Sequence, residues 1–572
     1  MFPYYGRPCC QRRYRESLVD PARSENPGTH EDLHAREPGD PVLARSVVGC
    51  LVLDGSRGSE TALAGREGNA LSGTPSMHEH GKSDRLVVPE KLPNKPALAG
   101  AEVVEGRGLR EGNATMETRA GHRAGQSVST DLDRVRQAAR NNKEQRFTAL
   151  LHHVTVDRLR DAYRALRPAA APGVDGVRWG EYGVDLEANL RDLHDRVHRG
   201  GYRALPTRRV LIPKPDGRLR PLGIAALEDK ILQRAVAEVL NAVYEQDFVG
   251  FSYGFRPGRS PHDALDALAT GIARRKVNWV LDADIRDFFG QIDQSWLMKF
   301  VEHRIADPRV LRLIQKWLTA GVIENGEWSR TETGTAQGAS ASPLLANVYL
   351  HYVFDLWADQ WRRRYARGDV ILARFADDYV AGFEHRDDAE RFLTDLRARL
   401  AQFGLGLAEE KTRLIEFGRF AARDRYQRGD PKPDTFEFLG FTHMCASTKT
   451  GRFKLKRVTS KKKMRAKLKS VKTEMRRRMH HPIPEQGRWL ASVLGGHYRY
   501  YAVPDNIDAL QAFRAGVVFN WQRSLSRRSQ KGRVAWSDMW RIADRWLPQP
   551  RILHPWPTRR FDANTQARSP VR

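Results

Sequence analysis

Two short strings hold the residues best suited to chemistry. In the first, 280–289, an apolar start at Val280 and Leu281 leads to Asp282 and Asp284 and then to the aromatic pair Phe288 and Phe289. In the second, 371–383, two strand-like runs flank the adjacent acids Asp377 and Asp378, as a hairpin would hold them at its tip. Neighbouring carboxylates at a tight turn between buried strands are costly, because burial and mutual repulsion would protonate one of them. A divalent cation resolves that conflict. Hard oxygen ligands that leave positions open for water and phosphate suit Mg2+. Asp284, Asp377 and Asp378 could together hold two such ions, one activating a 3′-hydroxyl and one steadying a leaving pyrophosphate. An isolated Asp-Asp pair is more often a polar turn, and a lone Asp284 a strand-end cap; what shifts the reading is that both occur, in strands of one chain. Asp282 would share the strand face of Asp284, and spacing leaves the choice between them open.

Two further stretches could serve the same centre. Residues 209–223 read as a strand, a turn and a second strand, with Lys214 and Arg220 as cations on the two arms. Such cations can clamp a triphosphate through charge-assisted hydrogen bonds, although alone this is an ordinary basic hairpin. Residues 334–347 form a small-residue loop entering a helix. A loop of that kind lets backbone approach a template or nucleotide closely; the plainer alternative is a turn required for packing.

These residues need a scaffold of strands and helices. From Arg208 to Phe441, strand-like apolar runs alternate with helical ones, which predicts an α+β body. Before it, Leu132, Val135, Ala139, Phe147, Leu150 and Leu151 recur at helical spacing, and Val156 to Leu166 gives a second helix. Residues 1–128, rich in Gly, Arg, Glu, Ser and Pro, are expected to be a disordered polar leader. The division expected is therefore 1–128, a catalytic body over 129–448, a basic helical region over 449–561, and a flexible tail over 562–572.

The chain of 572 residues carries a net charge of +27. That excess favours a polyanionic partner, and nucleic acid over a membrane surface, since the charged stretches lack a clear apolar face. No window resembles a membrane span or an export signal, so the expected location is the cytoplasm, in a bacterial cell with the nucleoid and RNA. Four cysteines without paired zinc-ligand spacing argue against a disulfide scaffold or zinc finger.

Taken in order, the strings resemble the reverse transcriptases encoded by group II introns. The blocks are Gly173 to Gly176, Ile212 to Leu222, Ser252 to Ser260, Asp284 to Phe289, Gln337 with Ser342 to Asn347, Phe375 to Asp378, Glu410 to Thr412, and Phe438 to Phe441. The resemblance implies a right-hand polymerase of fingers, palm and thumb, with Asp284, Asp377 and Asp378 as ligands of a two-metal Mg2+ site. It implies that Lys214 and Arg220 contact the triphosphate of a dNTP, that Phe288 presses on its sugar, and that Gln337 sits beside it. It places Lys411 and Arg256 near primer and template. The chain departs from the usual pattern at Ala336 (usually Pro), Ala339 (usually Gly) and Gly290 (often Asp).

Between Lys449 and Met479 there are fifteen Lys or Arg against one acid, Glu474. Met464, Leu468, Val471 and Met475 follow a helical stripe, predicting a helix with one apolar and one cationic face. Its cations Lys461, Lys462, Lys463, Arg465, Lys469, Arg476, Arg477 and Arg478 are the candidate RNA contacts. Trp489, Tyr498, Tyr501 and Trp521 read individually as core. The resemblance makes this region the thumb and maturase domain, which grips intron RNA and assists its splicing, and places the chain with the lineage lacking a DNA-cutting HNH domain. Its partners would be the intron RNA, a DNA target or primer, and dNTPs, with no membrane. Two alternatives stand beside this reading: a reverse transcriptase without splicing work, and an RNA-binding splicing factor on a degenerate polymerase scaffold.

Overall fold

The computed structural model describes residues 126–213, 219–324, 326–331, 333–335, 338–529 and 532–566. The leader over 1–128 therefore lies almost wholly outside the described residues, as do Lys214 and Gln337. Among the described residues no helix is long and apolar enough to cross a membrane.

The α+β expectation holds. The strands fall into three small sheets embedded among helices. The sheet that matters most has the order β6-β7-β3-β8, from Val370–Phe375, Asp378–Phe383, Trp279–Asp284 and Arg413–Glu416. All its pairings are antiparallel. Alternation along β3 and β7 explains its stability. Leu281, Ala283, Tyr379, Ala381 and Phe383 enter a large core shared with helices Leu227–Tyr244 and Ser342–Leu350, while Val280 and Val380 face a second core on the other side. Asp282, Asp284 and Asp378 follow the parity of that second face, at the end where the apolar packing stops.

A second sheet, order β2-β1-β4-β5, is built on the hairpin β1 (Thr207–Pro213) and β2 (Leu219–Ile224), where Ile212 faces Arg220. Strands β4 (Val322–Glu324) and β5 (Glu327–Ser329) extend it. The third sheet, β11-β10-β9, comprises Phe453–Thr459, Phe441–Ser447 and Phe436–Phe438. Thus the basic region does not begin as helix. Residues from Phe453 pair in a strand first, and the cationic helix is Lys461–Arg477, N-capped by Ser460.

That helix turns Val471 and Met475 into a separate helical core with Leu490, Leu494, Phe513, Val517 and Met539, with Met464 and Leu468 at its margin. Tyr498 and Trp521 are buried there, and Trp489 and Tyr501 pack against it, in keeping with their reading as core. The expected tail is a helix up to Gln566, for a physical reason. Asp562 accepts from Arg274 at 2.8 and 2.9 Å, and Asn564 donates to Asp263 at 3.2 Å, fastening the segment to helix Pro261–Arg274.

Candidate active site

The acidic residues meet at one end of the β6-β7-β3-β8 sheet. Asp284, the last residue of β3, lies directly across from Asp378, the first of β7. Asp377 occupies the two-residue turn between β6 and β7, preceded by Ala376 in left-handed conformation at φ 60°. That conformation is costly for a residue with a Cβ and is held by its surroundings. Asp282 sits two pairs deeper, opposite Val380, and is bonded to Arg413 of β8 at 3.2 Å.

The electrostatics are those of a site short of positive charge. Burial, then the repulsion of Asp282, Asp284 and Asp377, pushes the Asp378 carboxyl up to about 8. Asp377 is also raised, first by burial and then by Asp284, while Arg220 on the neighbouring hairpin pulls it back. The ammonium of Lys411 is ion-paired with Asp284. It is brought there because the 405–412 loop runs against the end of β3, where Ala408 donates to the Asp284 carbonyl at 2.8 Å. Among the described residues no cation is bonded to Asp377 or Asp378, and no three His, Cys, Asp or Glu side chains are gathered so as to hold a metal ion as they stand. The donor set is nonetheless wholly carboxylate oxygen, and two of its three members lack a bonded cation among the described residues, which fits a hard divalent ion.

The family of reverse transcriptases (RNA-dependent DNA polymerases) matches residues 212–443, which span both halves of this acidic tip. Protein YkfC of Escherichia coli K12 is 37% identical over 242 residues, covering 37% of this chain and 63% of its own. The group II intron-encoded protein LtrA of Lactococcus lactis is 33% identical over 222 residues, 38% of this chain and 37% of its own. Nuclear intron maturase 1 of Arabidopsis thaliana is 26% identical over 91 residues, 16% of this chain and 12% of its own. Residues 212–443 are a reverse transcriptase domain. The chain spans less than two thirds of the length of these relatives.

The reverse transcriptase domain places the other expected residues unevenly. Arg220 is exposed on β2. Phe288 is only 2% exposed and packs against Phe289 and Tyr349, so it cannot press on a substrate sugar. Its neighbour Phe289 is half-buried and lines a cavity of about 350 Å3 with Asp287, Gly290, Arg209 and Arg330. Gly290, where an Asp is common, is filled by the Asp287 carboxylate: a Cβ there would stand 2.3 Å from it. Arg256 is not a nucleic-acid contact. Its buried guanidinium donates to both oxygens of Glu245 and to the carbonyls of Val249 and Ser252, and lies over the Phe248 ring. It braces the turn between two helices.

Of the cations on helix Lys461–Arg477, residues 461–463, Arg465, Lys469, Arg476 and Arg477 are exposed. Arg478, just beyond it, is half-buried, bonded to Glu474 at 2.8 Å and lying over Trp489, so its first role is packing.

Sequence reading missed the residue that shapes the acidic turn, Arg374. Its side chain is 1% exposed and its partner Asp355 is fully buried. Two bonds of 2.6 Å join them, and Arg374 also donates to Asn347, Ser252 and the Ala376 carbonyl. Asp355 ends a π-helical turn, His351–Asp355, inserted between helices Ser342–Leu350 and Leu356–Arg364. The signal was present: a lone arginine within an otherwise apolar strand.

Proposed function

We propose that this protein is an RNA-directed DNA polymerase that also binds its group II intron RNA, assists its splicing and copies it into DNA during retrohoming. The observation that carries the reading is the register that sets Asp284 opposite Asp378, with Asp377 in the adjoining turn, inside a reverse transcriptase domain.

Reverse transcriptases use divalent metal ions. Here Asp284, Asp377 and Asp378 would hold Mg2+, which supplies activation of the primer 3′-hydroxyl and charge neutralisation at the phosphates. The chain's own residues frame that chemistry. Arg220, already close enough to act on Asp377, binds the incoming triphosphate, together with Lys214 and Gln337 from outside the described residues. Lys411, ion-paired with Asp284, holds it in place until substrate and cation arrive. With Phe288 in the core, the half-buried Phe289 is the ring left to contact the sugar and reject a 2′-hydroxyl. Residues 129–448 then make up fingers and palm and 449–561 the thumb and maturase region, where the cations of helix Lys461–Arg477 grip RNA phosphates. Its place of work is the cytoplasm of a bacterial cell.

Primer extension on an RNA template with dNTPs and Mg2+ tests the reading. DNA synthesis by the wild-type protein, lost in Asp377→Ala/Asp378→Ala, is the expected result. Tight RNA binding with no synthesis by wild type would replace it with the splicing-factor reading.

A further inference from the structure

Three large aromatic side chains stand exposed on the C-terminal helical bundle. Phe519 belongs to helix Ile507–Leu525, and Trp536 and Trp540 lie one turn apart on helix Trp536–Trp546. They are 48%, 43% and 42% exposed. They are not overflow from the core, which these helices fill with Val517, Val518, Trp521, Met539 and Ala543. The rings form a row. Phe519 and Trp536 are nearly parallel at 17° with centroids 6.1 Å apart, and Trp540 follows at 6.2 Å. Contiguous exposed aromatic surface marks an interaction site.

The surrounding charge says what kind. The Arg523 guanidinium lies over the Phe519 ring at 5.5 Å. Arg527 and Arg533, on the connection between the two helices, are exposed. The nearby acids are engaged, Asp538 with Arg541 and Asp544 with Arg514. Flat π-faces edged by guanidinium groups match a base with its phosphate, and every base offers such a face regardless of sequence. A duplex hides those faces in its own stack, so only unpaired nucleotides can use them.

We infer that Phe519, Trp536 and Trp540 form a stacking platform for unpaired RNA bases, with Arg523, Arg527 and Arg533 on the flanking phosphates. The inference rests on the RNA-binding reading above and adds a second mode of grip to it. Helix Lys461–Arg477 offers charge without exposed aromatic rings and so holds phosphates; the aromatic row holds bases. The two modes differ in salt dependence, because stacking releases no counterions.

The test uses full-length wild type, Trp536→Ala/Trp540→Ala and Trp536→Phe/Trp540→Phe. Each is titrated against a fluorescein-labelled unstructured RNA oligomer and against a blunt RNA duplex, over a range of salt. Thermal melting serves as the folding control. The alanine variant should lose about tenfold in affinity for the single strand with an unchanged salt slope, and little for the duplex, while melting as wild type. The phenylalanine variant should bind nearly as wild type. Equal loss on duplex and single strand, or no loss on either, would overturn the platform while leaving RNA binding intact. Wild type that binds neither RNA would remove the underlying reading as well. Weakened self-association of the alanine variant in sedimentation, without an RNA effect, would reassign the row to a protein interface.

Discussion

The guanidinium of Arg374 donates to the carbonyl of Ala376 at 2.8 Å, one residue before Asp377. Through this bond a buried ion pair two residues away fixes the left-handed turn that presents the acidic pair. Loop 251–254 completes the clamp. Tyr253 donates to the Arg374 carbonyl, and Gly254 passes so near that a Cβ on it would stand 2.2 Å from the Ala376 nitrogen. Arg374→Ala should therefore destabilise the fold by about 3–5 kcal/mol, since it strands Asp355 as a buried charge. Arg374→Lys is the more informative variant. It keeps the charge but loses the fork that reaches Asp355, Asn347, Ser252 and Ala376 together. We expect it to melt within a few degrees of wild type yet lose most of its kcat in primer extension, with affinity for primer–template unchanged. A parallel loss of kcat and template affinity would show that the network merely supports the fold.

The aromatic pair after Asp284 separates packing from selection. Phe288→Ala removes a core ring and should cost about 3–5 kcal/mol in chemical denaturation, with little change in sugar discrimination. Phe289→Ala should leave stability nearly intact and raise incorporation of ribonucleotides relative to dNTPs. Single-nucleotide incorporation assays on both variants decide it. Altered discrimination in the Phe288 variant alone would return the gate to that position.

These cases mark how far the residues could be read in advance. The alternation of apolar residues beside Asp284 and Asp378 placed both acids on strand ends, because a period of two fixes which side chains share a face. The stripe from Met464 to Met475 likewise fixed the buried side of the cationic helix. What spacing does not encode is which of two adjacent rings turns inward. In β3 and its continuation, the left-handed Asp287 at φ 36° breaks the alternation and reverses the roles of Phe288 and Phe289. Nor does a basic block announce whether its cations face solvent. The resemblance sets Arg256 near primer and template, yet Glu245, eleven residues earlier, neutralises it in the interior. Pairs of that kind become visible only once helices are packed.

Polymerisation and RNA binding draw on different parts of the chain, so they should separate. Asp377→Ala/Asp378→Ala, or chelation of divalent ions with EDTA, should abolish DNA synthesis and leave affinity for intron RNA within about twofold, as expected when binding rests on phosphate contacts elsewhere. Splicing assisted by the double mutant, under ionic conditions that keep the RNA folded, should persist. Loss of splicing in a mutant with an unchanged melting profile would mean that the acidic site serves both tasks.

The cations of helix Lys461–Arg477 make a quantitative claim. If residues 461–463 each neutralise a phosphate, changing all three to alanine should reduce the slope of log K against log salt by roughly 2–3, at about 0.7–0.9 per contact. Their side chains are exposed and outside the helical core, so stability should hold. A weaker complex with the same slope would show that they act without touching phosphate.

Acid should find a weak point in the sheet behind the active site. His443 on β10 is fully buried, with its ring stacked on Phe436 at 4.7 Å and 3°. Burial, then the nearby Arg457, holds its pKa down to about 3, against about 6.5 in an unfolded chain. The folded state thus prefers the neutral ring. Its contribution is complete above about pH 6.5 and is lost as pH falls toward 3, at about 1.4 kcal/mol per unit, because the unfolded chain takes up the proton first. Asp229, raised to about 6 chiefly by burial, acts in the opposite sense and gains stability on acidification. The total pH profile therefore mixes signs, and the difference between wild type and His443→Phe isolates the histidine. Urea unfolding of both proteins from pH 7.5 to 4.5 should show the variant gaining on wild type steadily below pH 6.5. Parallel curves would mean that His443 is charged, or solvated, in the folded protein.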